Sequence, residues 1–153
     1  IDWHLLEYDS HQGIQKLVRD LNHFYRQEPA FFRFDFDPKG FEWVQCDDWQ
    51  QSVLCFLRKT ENPRETILVC CNFTPVPRYD YRVGVPIDGF WREVFNSDAK
   101  LYGGGGIANG EQIAADSIPF HWRPFSLNLV LPPFGVIFLK PEQSQEIKEG
   151  DHE

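Results

Sequence analysis

The sequence of 153 residues contains no methionine, and its opening Ile1-Asp2-Trp3-His4 has neither the basic start nor the apolar run of a secretory signal. It is therefore expected to be an excised piece of a longer reading frame. No stretch approaches the ~18 consecutive apolar residues that a membrane helix needs, so a soluble chain with no membrane partner is expected. Cations are scarce. Fifteen Lys and Arg face 23 Asp and Glu, for a net charge of -8, and without clustered positive charge nucleic acid is not an expected partner. The four cysteines lack zinc-finger spacing beside a His pair, so no metal or cofactor is implied. Cys46 and Cys55 flank a possible turn at Asp47 to Gln50, while Cys70 and Cys71 sit inside an apolar run. That placement suits buried free thiols in a reducing cytoplasm better than a disulfide scaffold. Asn72-Phe73-Thr74 has the form of a glycosylation sequon, which carries no meaning there.

Aromatic side chains are plentiful at 16%, and 11 Gly accompany 11 Pro, a mixture suited to short strands joined by sharp turns. One helix is expected, over 10–27, where Ile14, Leu17, Val18, Leu21, Phe24 and Tyr25 recur at helical spacing as one apolar stripe. Asp9 or Ser10 is placed to cap its start, and Glu28-Pro29 ends it. Beyond Pro29 the period changes to two, first in Phe32, Phe34 and Phe36. Strands are expected near 41–46, 51–59, 66–73, 80–85, 90–95, 125–131 and 135–140. Asp37-Pro38-Lys39-Gly40, Asn62-Pro63, Asp88-Gly89, Asn109-Gly110 and Pro132 to Gly135 supply the turns. The pattern predicts a mainly β chain, an antiparallel β-sandwich or barrel. Residues 142–153 are polar and acidic and are expected to be disordered.

Three features invite a chemical reading. Gly103, Gly105 and Ala108 satisfy the permissive dinucleotide fingerprint, but no buried strand delivers the turn and no crossover helix follows, so a flexible loop is expected. The pairs Asp35/Asp37 and Asp47/Asp48 are explained by turns rather than by acid and base work across a cleft. The five histidines are scattered and no G-x-S-x-G elbow is present, so no nucleophilic site is indicated. Tryptophan remains. Indole faces beside Asp, Gln and Arg are suited to stacking on sugar rings, although most Trp fill cores. Trp49, ringed by Asp47, Asp48, Gln50 and Gln51, is the first candidate for such a platform, and Trp43 and Trp91 follow.

From residue 2 to about residue 140 the chain resembles a known family. The segments DWHLLEYDSHQGIQKLVRDLNHFYR, FDFDPKGFEWVQCDD, SVLCFLR, CNFTPVPRYDYRVGVP, FWREVFNSDAKLYGGGGIANG, HWRPFSLNLVLPP and GVIFLK are similar, in order, to the C-terminal end of bacterial 1,4-α-glucan (glycogen) branching enzymes of the α-amylase superfamily. The resemblance implies that residues 1–30 hold the last helix of a catalytic (β/α)8 barrel. Residues 31–141 would form the α-amylase C-terminal all-β domain, a Greek-key sandwich. It implies a cytoplasmic enzyme of glycogen biosynthesis that transfers α-1,4-glucan segments to 6-hydroxyls. The family's catalytic aspartate nucleophile, glutamate acid/base and second aspartate would lie upstream of Ile1, so no catalytic residue is carried over. The expected partners are α-glucan and the missing barrel. The alternatives are a free-standing carbohydrate-binding module and the equivalent domain of another superfamily member.

Overall fold

The computed structural model describes residues 2–142. The polar tail expected over 142–153 lies outside them, save for Glu142, whose backbone N–H donates to the carbonyl of Phe90 at 2.8 Å. Helix α1 runs Asp9–Gln27 and is followed by the short helix α2, Pro29–Phe32. The break falls at Glu28, which is extended (φ -95°, ψ 109°) because the following proline crowds its backbone out of helical geometry. At the other end the cap position is Tyr8, which makes no side-chain cap, instead of Asp9 or Ser10. Asp9 occupies the first turn, where its carboxylate complements the helix dipole.

Eight strands follow: β1 Phe41–Asp48, β2 Val53–Arg58, β3 Ile67–Asn72, β4 Arg78–Val85, β5 Phe90–Asn96, β6 Ile113–Ala114, β7 Phe125–Leu131 and β8 Val136–Pro141. Every named pairing is antiparallel. Six strands form one sheet in the order β1-β2-β3-β8-β5-β6, and β4 pairs with β7 in a second. The sandwich is therefore lopsided. Its inner core joins Val53, Cys55, Leu57, Leu68, Cys70, Trp91, Ile137 and Leu139 of the large sheet to Tyr81, Val83, Val85, Leu127, Leu129 and Leu131 of the small one. Each of these runs has the period of two that puts alternate side chains on one face. Although β7 and β8 are consecutive, they belong to opposite sheets, so the Pro132–Gly135 connection is a crossing and not a hairpin.

The outer face of the large sheet carries a second core. Ile67, Val69, Phe95 and Phe138 project there and are covered by Leu17, Leu21 and Phe24 of α1 and by Ala30 and Phe31 of α2. Ring centroids lie 5.4 Å apart for Phe24–Phe138, 5.3 Å for Phe31–Phe138 and 4.8 Å for Phe95–Phe138. Polar contacts fix the cover. Lys140 Nζ meets Glu28 Oε2 at 2.6 Å, and Arg58 donates to the carbonyls of Ala30 and Phe31 at the end of α2. Arg58 also donates to Asp35, whose other oxygen accepts from the Tyr25 hydroxyl at 2.7 Å.

Two expectations change here. The alternation of Phe32, Phe34 and Phe36 is not a strand: Pro29 at the first helical position starts α2, and a turn follows at 33–36. Phe31, not Phe32, reaches the core, and Phe36 stands wholly in solvent. The stripe of α1 also divides. Leu17, Leu21 and Phe24 face the sheet, while Ile14, Val18 and Tyr25, on the same broad stripe, are about half exposed.

The glycine run has a structural purpose. Asp98 lies inside it, one carboxylate oxygen accepting from the N–H of Gly105 at 2.8 Å and the other from that of Ile107 at 2.9 Å, while its carbonyl accepts from Gly106 at 2.7 Å. Gly103 and Gly106 take positive φ of 87° and 82°, and a Cβ on Gly104 would lie 2.2 Å from the Asp98 carbonyl oxygen. The loop wraps an internal carboxylate. Just before it, the Tyr102 hydroxyl donates to Asp20 of α1 at 2.9 Å, and the Tyr102 carbonyl lies so near Gly13 that a Cβ there would fall 2.4 Å from it. The bond from Tyr102 holds the Asp20 carboxyl below its usual range, and burial with the same bond pushes the Tyr102 phenol up to about 12.

Cys55 and Cys70 are buried opposite one another on β2 and β3, and burial raises both the Cys70 thiol and that of Cys71, the latter to about 11. Cys46 is exposed. Titration with a chromogenic disulfide reagent will find one thiol reacting within seconds and the rest only on unfolding; two or more fast thiols would contradict this packing. The divided stripe makes a second forecast. Phe24→Ala will lower unfolding free energy by about 2–3 kcal/mol in urea titrations, less than for a fully enclosed ring because Phe24 is only partly buried. Val18→Ser will stay within about 0.5 kcal/mol of the parent chain, and equal losses would refute the division.

Candidate binding edge: exposed tryptophans beside strand β1

Of the carboxylates singled out in the sequence, those of Asp35, Asp37 and Asp48 are engaged in structure. Asp37 accepts from the N–H of Lys39 at 3.0 Å, which holds its carboxyl below the usual range. Asp48 accepts from the Tyr81 hydroxyl at 2.7 Å and from Gln51, and burial with that bond pushes the Tyr81 phenol far up. Asn72 of the sequon is buried, donating to the carbonyls of Val76 and Pro132. Among the described residues no group of three or more His, Cys, Asp and Glu is placed to hold a metal ion. None of their helices is long and apolar enough to cross a membrane.

The three candidate tryptophans part company. Trp91 lies in the inner core with no exposed surface, its indole N–H donating to the Ile87 carbonyl at 3.1 Å. It offers no face to a ligand, and the expectation of a platform there is corrected: β5 alternates so that residue 91 points between the sheets. Trp43 is half exposed on the outer face of β1, edge-on to Phe41 at 4.9 Å and to Phe56 at 5.9 Å. Trp49 is 80% exposed at the β1–β2 turn.

The fourth indole, Trp122, which sequence reasoning set beside the other three but did not rank as a platform, is fully exposed. It sits in a two-residue turn in which Phe120 and Arg123 exchange both backbone hydrogen bonds at 3.0 Å. The central residues, His121 and Trp122, have φ of 46° and 61°. Positive φ at both centres is the turn normally filled by Asn-Gly, and for L-residues that geometry costs on the order of 1–2 kcal/mol each. Neighbouring groups hold it. The imidazole Nδ1 of His121 accepts from the N–H of Gly84 at 3.2 Å, and a Cβ on Gly84 would fall 2.0 Å from the Phe120 carbonyl oxygen. Arg123, with a nearly buried side chain, donates to the carbonyls of His121 at 2.7 Å and Trp43 at 3.0 Å and pairs with Glu42. One guanidinium thus ties the Trp122 turn to the backbone of Trp43.

The model for the alpha-amylase C-terminal all-beta domain matches residues 43–142, and the chain belongs to that family. It is 61% identical, over 93% of its own length, to the 1,4-alpha-glucan branching enzyme GlgB of Aquifex aeolicus, of which it covers 22%. With the enzyme of the same name from Rubrobacter xylanophilus it shares 53% identity over 92% of this chain and 19% of that one. With that from Thermosynechococcus vestitus the identity is 46% over 97% and 20%. The chain thus spans about a fifth of the length of these relatives. A crystal structure of an alpha-amylase from H.orenii is similar over 81% of this chain and 19% of its own, with a TM-score of 0.46 and 22% identity.

Burial, followed by repulsion from Arg123, lowers the pKa of His121 from 6.5, and Asp47 and Asp48 only partly offset this. A histidine that is harder to protonate when folded binds fewer protons folded than unfolded, so its contribution is whole above the unfolded value and is lost as pH falls through the lowered one. Stability will therefore decline as pH drops below about 6.5, before the carboxylates begin to titrate. A His121→Gln variant will lack that slope in urea titrations at pH 7.0 and 5.5; the same slope in both proteins would refute the assignment.

Proposed function

We propose that the chain is the C-terminal part of a 1,4-α-glucan branching enzyme, in which it buttresses the catalytic barrel and offers glucan a contact surface. The observation that carries this is the 61% identity to the Aquifex aeolicus enzyme over 93% of the chain, a span that takes in α1 as well as the β strands. In this reading residues 1–30 supply the last barrel helix and 31–141 the all-β domain. The parent enzyme is cytoplasmic, moving α-1,4-glucan segments to 6-hydroxyls. The half-exposed Ile14, Val18 and Tyr25 on the outer side of α1 support it, because a helix shared between two domains needs an apolar surface on each side. A free-standing sugar-binding module has no use for that second side. Trp49 and Trp43, exposed on the edge of the large sheet, are among the sugar contacts, and the barrel's own carboxylates carry the chemistry.

The experiment compares two proteins. The product of the parent gene, with its upstream residues, will lower the absorbance of iodine-stained amylose, and the 153-residue chain alone will leave it unchanged, because the reaction needs carboxylates preorganised on the barrel. An inactive parent, or an active fragment, would overturn the reading.

A further inference from the structure

The Trp122 turn is built at a backbone cost that its own indole does nothing to offset, since that side chain is fully exposed. Its two central positions hold a bulky imidazole and an indole where glycine and asparagine fit without strain. The turn is pinned from three sides, by Gly84, by the buried fork of Arg123 and by its own paired backbone bonds. Yet the side chain so carefully positioned touches solvent alone, standing fully exposed beside Arg123. A rigid support under an unused aromatic face is the arrangement expected when the face is used by something else.

We propose that Trp122 is the principal glucan platform of this domain, a preorganised indole on which a ring of a linear α-1,4-glucan stacks. The inference rests on the branching-enzyme reading for the identity of the sugar. The surroundings favour sugar over a protein partner. Protein interfaces exclude charge from their centres, whereas Asp47, Asp48 and Glu42 lie along the same edge as the exposed indoles; Asp48 and Glu42 are held by Tyr81, Gln51, Lys59 and Arg123, and a carboxylate has lone pairs enough to accept from a sugar hydroxyl beside such bonds. A neutral ligand also meets no repulsion from a chain of net charge -8. Backbone geometry and exposure decide the ranking among the tryptophans. The Trp49 turn is also braced, by Asp48 on Gln51, but its positive φ falls on Ser52 and not on the indole-bearing residue, and Trp43 gives much of its surface to Phe41 and Phe56, while Trp122 itself holds positive φ and is wholly exposed.

The test titrates the 153-residue chain with maltoheptaose by calorimetry, beside Trp122→Ala, Trp122→Phe, Trp49→Ala and Trp43→Ala. A millimolar dissociation constant is expected for the parent chain, weakened at least about tenfold by Trp122→Ala, as loss of one stacking contact implies. Trp122→Phe will restore most of the affinity, Trp49→Ala and Trp43→Ala will cost less than Trp122→Ala, and melting temperatures will stay level. Binding unchanged in Trp122→Ala, or lost chiefly with Trp49, would overturn the proposal while leaving the branching reading intact. So would no heat with any chain, or a change of sedimentation on removing Trp122, which would mark a contact between copies. Activity of the full parent gene product tests the underlying reading separately.

Discussion

The outer face of the large sheet cannot be left in water. Phe138, Phe95, Val69 and Ile67 project there side by side, and the two-stranded sheet is already spent on the inner face. Helices α1 and α2 are the cover. Most of the unusual local features exist to hold it: Glu28 joined to Lys140, the end of α2 capped by Arg58, and the Tyr102 hydroxyl on Asp20. Gly13 belongs to the same set, since only a residue without a Cβ lets the chain at Tyr102 approach so closely. The clasp of glycines around Asp98 sets where Tyr102 sits. The cover is therefore secured by a loop some eighty residues further along the chain, and a cluster of rings at 4.8–5.4 Å gives it enthalpic contacts beyond simple burial.

The candidate edge depends on the opposite arrangement. Its aromatic groups are presented, not covered, and what fixes them is polar. Arg123 is the hinge between the two halves of that edge because its fork reaches the turn backbone, the strand backbone and a carboxylate at once. Glu42 answers with a carboxyl whose burial would raise its pKa, but which Lys59 and Arg123 together hold below the usual value.

The strands and the principal helix were legible because apolar period and turn chemistry agree over most of the chain: the runs at 66–73 and 125–131 enclose β3 and match β7. Phe32, Phe34 and Phe36 misled because a period of two in three residues is indistinguishable from a helix end followed by a turn. The function of the glycine run was illegible, since the carboxylate it encloses is engaged only once the loop has folded back. Trp91 and Trp122 show the harder limit. Both have mixed neighbours in sequence; strand register sends one between the sheets, and a turn at positive φ leaves the other in solvent. The sign available for Trp122 was its place in His-Trp before Arg-Pro, but nothing in residue type announces positive φ at two such side chains.

The large sheet has two rims, and each is treated differently. At one, β6 is only two residues long, too brief to serve as a template. At the other, β1 is a full strand of eight residues, whose outward backbone groups could recruit a strand from another molecule. Its pairing slips twice, between Trp43 and Gln45 and again before Asp48, and the Trp43 carbonyl is already claimed by Arg123. The same guanidinium that steadies the indoles therefore takes one acceptor from that rim, and with the two slips it leaves a less regular template for another strand.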